Sequence, residues 1–187
     1  MNVNDLVLYL FDILKGYVTL LAAWFLLLHF PAHKWKLFFA TRKHLSTLQL
    51  HGIHSYFITI CSFLIFLYIG GSIEKVFFNL PLSLEGKRKI FYLALIISKF
   101  SFLLMLFFLH FIRGCFFSKV SRICIYSNVF FMLLLFMQLV ARGYFDYHGL
   151  NIFYTFGGWI CYLIIITVLS IYPIRQTLGY FKQRRVA

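Results

Sequence analysis

Five long apolar runs set the pattern of this chain, parted by short stretches in which basic, aromatic and turn residues collect. They cover roughly residues 6–30, 52–73, 90–112, 122–141 and 151–173. Crossing a hydrocarbon core as a helix takes about 20 mostly apolar residues, and each run is long enough. None alternates with period two, which argues against an outer-membrane barrel. Backbone amides in lipid must be satisfied within their own segment, so the runs are predicted to be helices. The expected fold is all-α, a single polytopic transmembrane helix bundle over residues 1–187 with about five spans. A count of four is the alternative, because Asp12 and Lys15 interrupt the first run, which would then lie partly in the interface.

The connections are short and differ in character. Residues 74–89, EKVFFNLPLSLEGKRK, contain Pro81 and Gly86 and read as a loop. Residues 31–51 open at Pro31, where a span is expected to end. The middle of that connection, WKLFFATRKHLSTLQL, mixes aromatics, leucines and cations. It reads as a short helix in the headgroup layer, with Trp35 and Phe38 dipping inward. The N-terminal MNVNDLVLYLF has no basic leader, so the first run is expected to remain as a span.

Composition supports lipid as the solvent. Apolar residues make up 62% of the chain and charged ones 12%, against about 45–50% and 25% in a soluble domain. A water-soluble fold of 187 residues could not hide that much apolar surface.

The net charge of +13 is unevenly placed. Lys34, Lys36, Arg42 and Lys43 lie in the first connection, Arg113, Lys119 and Arg122 at the third, and Arg175, Lys182, Arg184 and Arg185 in the tail. With five spans these segments share one side, which then carries no acidic residue. All five acids, Asp5, Asp12, Glu74, Glu85 and Asp146, fall on or near the other. The positive-inside rule then predicts the N-terminus outside and the C-terminus in the cytosol of a bacterial inner membrane. The cations also suit anionic lipid headgroups and an acidic soluble partner; direct nucleic-acid binding is not expected.

Within the spans, Asp12, Lys15 and Lys99 are the charges to explain, since such groups generally face protein or a water-filled cavity. Asp12 and Lys99 enter from the same side at depths a lysine can bridge, and Lys15 is the nearer rival for Asp12. His29, His51, His54 and His110 fall in one layer at the basic side. A haem b between helices needs two facing imidazoles, and His54 with His110 is the candidate pair, with His29 in reserve. The other reading is histidine at the headgroup boundary, with no cofactor. The four cysteines form no C-x-x-C pair and read as packing residues. No metal site is expected. No catalytic triad, H-E-x-x-H, phosphate loop or paired carboxylates appear, so no enzyme is expected.

This layout, a short phenylalanine-rich polytopic chain with a bare basic face, resembles the KwaA family, the membrane subunits of the Kiwa anti-phage defence system. The resemblance implies a homo-oligomeric inner-membrane protein. It would sense disturbance of the envelope and act through a soluble cytosolic partner, KwaB, docked on the basic stretches His33–His44 and Arg175–Arg185. The ending SIYPIRQTLGYFKQRR is also similar to the tails of immunity proteins against pore-forming colicins. That similarity implies a bacteriocin-immunity alternative, and a haem-bearing redox subunit is a third.

Overall fold

The structure, a computed structural model, describes the backbone of residues 3–39, 42, 45, 47–78, 81 and 83–186, leaving out the side chains of 3–8, 74, 75, 77, 78 and 180–186. The described chain is helical without strands. Its elements are α1 (Val3–His33), the short α2 (Lys36–Phe39), α3 (Leu48–Phe78), α4 (Leu84–Arg113), α5 (Lys119–Gln138) and α6 (Asn151–Val186). A π-helical turn, Leu139–Tyr144, extends α5. Among the described residues, five helices are long and apolar enough to cross a membrane: Tyr9–His33, Leu48–Ile73, Leu84–Arg113, Lys119–Tyr144 and Asn151–Gly179. The protein is therefore a multi-pass membrane protein. The first run is one continuous helix through Asp12 and Lys15, because their 2.9 Å ion pair joins residues one turn apart on the same helix.

The spanning helices close into a ring. Each packs on the next in sequence, α6 returns to α1, and α3 also touches α5 across the middle. Short connections between neighbours make them antiparallel. α3 is the most buried of the spans, and its N-terminal half also carries the buried polar residues His54, Ser55, Thr59 and Ser62. Residues 53–60 are all buried, and Phe63 and Leu67 continue the core beside Phe25, Phe102, Leu106, Ile165 and Leu169. Glycines bring α5 and α6 together. A Cβ at Gly157 would lie 2.6 Å from Leu134 Cδ1, and one at Gly158 would lie 3.1 Å from Phe131 Cε2. Lipid gives no hydrophobic drive between helices, so such close approach is what small residues contribute.

Several helix ends differ from the sequence reading. α1 does not stop at Pro31 but runs to His33, since a proline in the last turn removes only one ladder bond. α6 passes through Pro173 to Val186. The connection read as residues 74–89 shrinks, because α3 continues to Phe78 and α4 begins at Leu84. There Ser83 supplies the N-cap, accepting from the Gly86 amide at 3.2 Å. A helix already nucleated in lipid continues until caps or turn residues stop it, so hydropathy alone underestimates helix length. α4 ends at Gly114, whose φ of 60° suits glycine and lets its amide reach the His110 and Phe111 carbonyls.

Candidate functional site: the basic end of the bundle

One end of the ring collects the C-termini of α1 and α4, all of α2, the N-termini of α3 and α5, and the last turns of α6. Lys34, Lys36, Arg42, Lys119, Arg122 and Arg175 are exposed. The described carboxylates Asp12, Glu85 and Asp146 belong to the other end, where Lys89 meets Glu85 at 2.6 Å and Arg88 pairs with Asp146. Cations at that end are thus partly neutralised, whereas those at the basic end face no described carboxylate. Lys43 lies outside the described residues, and the side chains of Lys182, Arg184 and Arg185 are likewise not described.

Arg113 stands apart from the other cations. Its guanidinium turns inward, donating to the Leu37 carbonyl at 3.0 Å and to the Phe38 carbonyl. These are the C-terminal carbonyls of α2, where a cation is favoured by the exposed backbone dipoles. Arg113 also lies 5.5 Å above the Phe57 ring, and its Nη1 is 3.4 Å from His54 Nδ1. It is a clamp holding α2 against α4 and α3, not part of the outward-facing set. Within residues 35–50, where the sequence reading expects a short helix, the structure describes the four-residue α2, and its contacts are distributed differently from that reading. Leu37 is fully buried and Phe38 stands edge-on to Phe57 at 5.1 Å, but Trp35 remains 68% exposed.

Behind this face lies a polar joint. His110 Nδ1 is 2.8 Å from the Leu106 carbonyl, which can only accept, so Nδ1 carries the proton. Nε2 of the neutral ring then accepts from the Ser55 hydroxyl at 2.9 Å, and Ser55 Oγ accepts from the Ser118 amide at 2.9 Å. Ser118 is the N-cap of α5. Three helices thus meet through one serine, and Phe117 stacks on His110 at 4.2 Å.

The serine–imidazole pair resembles half of a hydrolase triad in distance alone. Ser55 has no exposed surface, its oxygen is engaged by an amide, and a carbonyl stands where a carboxylate would. The same occupancy argues against haem. Both His110 nitrogens are engaged, and His54 Nδ1 faces a guanidinium. His29 Nε2 is buried without a partner, and its ring lies against Phe25 at 4.6 Å with Tyr172 at 6.2 Å. With both His110 nitrogens engaged, the His54–His110 pair does not fit a bis-histidine haem. No group of three or more metal-ligating side chains converges among the described residues.

The intramembrane charges separate. Lys15 takes Asp12, which is 72% exposed in its side chain. Lys99 has a different environment from the one sequence depth suggests. Its Nζ donates to Tyr162 Oη at 3.3 Å and lies 4.8 Å and 5.0 Å from the Phe131 and Tyr162 ring centres. The Asp12–Lys99 bridge is replaced by two separate arrangements, because an aromatic face and a hydroxyl are nearer the lysine than the carboxylate. Ser55, Ser118 and Tyr162 were not legible as a set, since each is an ordinary residue until the helices meet.

No family model, no curated protein and no solved structure matches the chain. The functional reading therefore rests on this geometry and on the layout resemblance.

Proposed function

We propose that the protein is a non-enzymatic subunit of the bacterial inner membrane, with its N-terminus outside and its basic end in the cytosol. There it docks an acidic soluble partner. The supporting observation is the exposed set Lys34, Lys36, Arg42, Lys119, Arg122 and Arg175 with no described carboxylate beside it. The positive-inside rule gives the orientation, and complementary charge steers a partner and makes its binding salt-sensitive. The KwaA-like layout supplies the context: a homo-oligomer that senses envelope disturbance during phage infection and relays it to a KwaB-like protein.

Purification of a C-terminally tagged chain from native membranes tests this reading. The expected result is one acidic soluble protein that copurifies at low salt and leaves at high salt, and cells that lose phage resistance without the chain. A tag reached by impermeant reagents from outside the cell, or recovery without any soluble protein, would overturn it.

A further inference from the structure

α1 and α2 together form an apolar groove on the outer surface of the ring. Ala23, Leu26, Leu27, Phe30 and Pro31 of α1 make its wall and floor, and Phe38 of α2 makes its head. Its volume is about 490 Å³, and it is open along its outer side, as a lipid-facing groove is. From Phe30 to Ala23 it runs about 10 Å along the helix axis, at 1.5 Å per residue, toward the bilayer centre.

The head of the groove is fixed in place. The Arg113 clamp holds the α2 carbonyls, Phe57 meets the Phe38 ring, and Phe30 stands edge-on to Phe38 at 6.4 Å. Two exposed cations flank it in sequence: Lys34 three residues after Pro31, and Lys36 two before Phe38. Lys34 has a left-handed φ of 45°, which turns the chain sharply between α1 and α2. An apolar trench whose two walls are joined by a turn carrying two exposed lysines matches a molecule with an acyl chain and an anionic head.

We infer that this groove is a binding site for an anionic phospholipid, with one acyl chain along Ala23–Phe30 and the phosphate at Lys34 and Lys36. Charge at the mouth selects the occupant, because a zwitterionic lipid fills the trench equally well but gains less from the two lysines. The inference needs the membrane-embedded ring but neither the orientation nor a soluble partner; Lys34 and Lys36 then serve the lipid and leave Arg42, Lys119, Arg122 and Arg175 to the partner, so the two readings are tested separately.

Trp35 reports on the site. It lies 6.2 Å from Phe30 and 6.0 Å from Phe38, edge-on to the first, and is largely exposed. The full chain carrying Trp24→Phe and Trp159→Phe, reconstituted in phosphatidylcholine vesicles, leaves Trp35 as the only tryptophan. Phosphatidylglycerol with brominated chains is then compared with brominated phosphatidylcholine as quencher. The expected result is saturable quenching by the anionic lipid at a mole fraction on the order of tenfold lower, the preference two interfacial cations supply. Lys34→Gln with Lys36→Gln should remove the preference, and Ala23→Phe, which fills the trench from its lipid-facing side, should reduce it with helicity unchanged. Equal quenching by both lipids overturns the proposal, as does a preference that survives the double glutamine variant. Protection of Trp35 from both lipids, the signature of a second copy of the chain seated there, overturns it as well.

Discussion

The Tyr56 hydroxyl donates to the Leu169 carbonyl at 2.8 Å, and that carbonyl is the one Pro173 leaves without an amide. In a regular helix residue 173 would bond residue 169, but proline has no N–H. A tyrosine from α3 restores the missing bond from across the bundle, while its ring stacks on Tyr172 at 4.4 Å. In lipid the alternative is a bare carbonyl, so this contact lets α6 continue past the proline.

A double-mutant cycle measures that compensation. Tyr56→Phe should destabilise the protein by about 1 kcal/mol in denaturant titrations from mixed micelles, within the range for buried bonds in membranes. In a Pro173→Ala background, where the amide gained at position 173 can reach the Leu169 carbonyl, the same change should cost much less. Equal costs in both backgrounds would show that the hydroxyl does not replace the missing amide.

Ser55→Ala removes the acceptor of the Ser118 amide and the donor to His110 together. Leaving a buried donor unmet costs about 1–3 kcal/mol. Hydrogen exchange at the Ser118 amide should quicken selectively, and Ser55→Thr should retain part of the protection. Added haem should keep the broad absorption of free haem and gain no sharpened, red-shifted Soret band of bis-histidine ligation, since His110 offers no free nitrogen.

The two intramembrane cations should respond differently. Lys99→Met leaves no unpaired carboxylate behind, because its neighbours are Tyr162 and Phe131. A lysine at mid-bilayer costs about 2.5–3.5 kcal/mol on insertion scales, so this variant is expected to be at least as resistant to denaturant as the parent. Asp12→Asn should lower stability by about 1–3 kcal/mol, since it leaves the Lys15 ammonium, only 17% exposed, without its carboxylate. A large loss from Lys99→Met would show that an anion or a carboxylate depends on that ammonium.

Cys115 lies between α4 and α5, and burial pushes its thiol up to about 11, against an opposing effect of nearby Arg113. The folded value lies above the unfolded value of 9.0, so ionisation opposes folding and this group's effect on stability falls as pH rises from about 9 through 11. In a variant with Cys61, Cys124 and Cys161 changed to alanine, maleimide labelling should be slow at neutral pH. It should rise about tenfold per pH unit up to about 11 and become fast at neutral pH once the protein is unfolded. Rapid labelling of the folded protein at neutral pH would contradict this.

Exposed cations at the basic end should govern docking without governing the fold. Charge reversal at Lys119, Arg122 and Arg175 is expected to weaken partner capture at low salt by at least tenfold, with thermal stability unchanged. Arg113→Gln should do the opposite, loosening α2 and lowering stability, because that guanidinium faces carbonyls and not solvent.

The sequence by itself determined that lipid surrounds this protein, that it is a bundle of about five apolar helices, and that its positive charge gathers at one end. Those properties are sums over many residues, and single contacts hardly alter them. Aromatic, leucine and basic residues over 35–50 even pointed to a short helix in the connection where α2 lies. Tertiary structure alone decided the partners. Lys99 meets Tyr162, 63 positions away, and Arg113 meets Leu37, 76 positions away. Tyr56 completes α6 from 113 positions away. Hydropathy records how much each residue prefers lipid, but a hydrogen bond depends on two directions and one distance, and those exist only once the ring has closed.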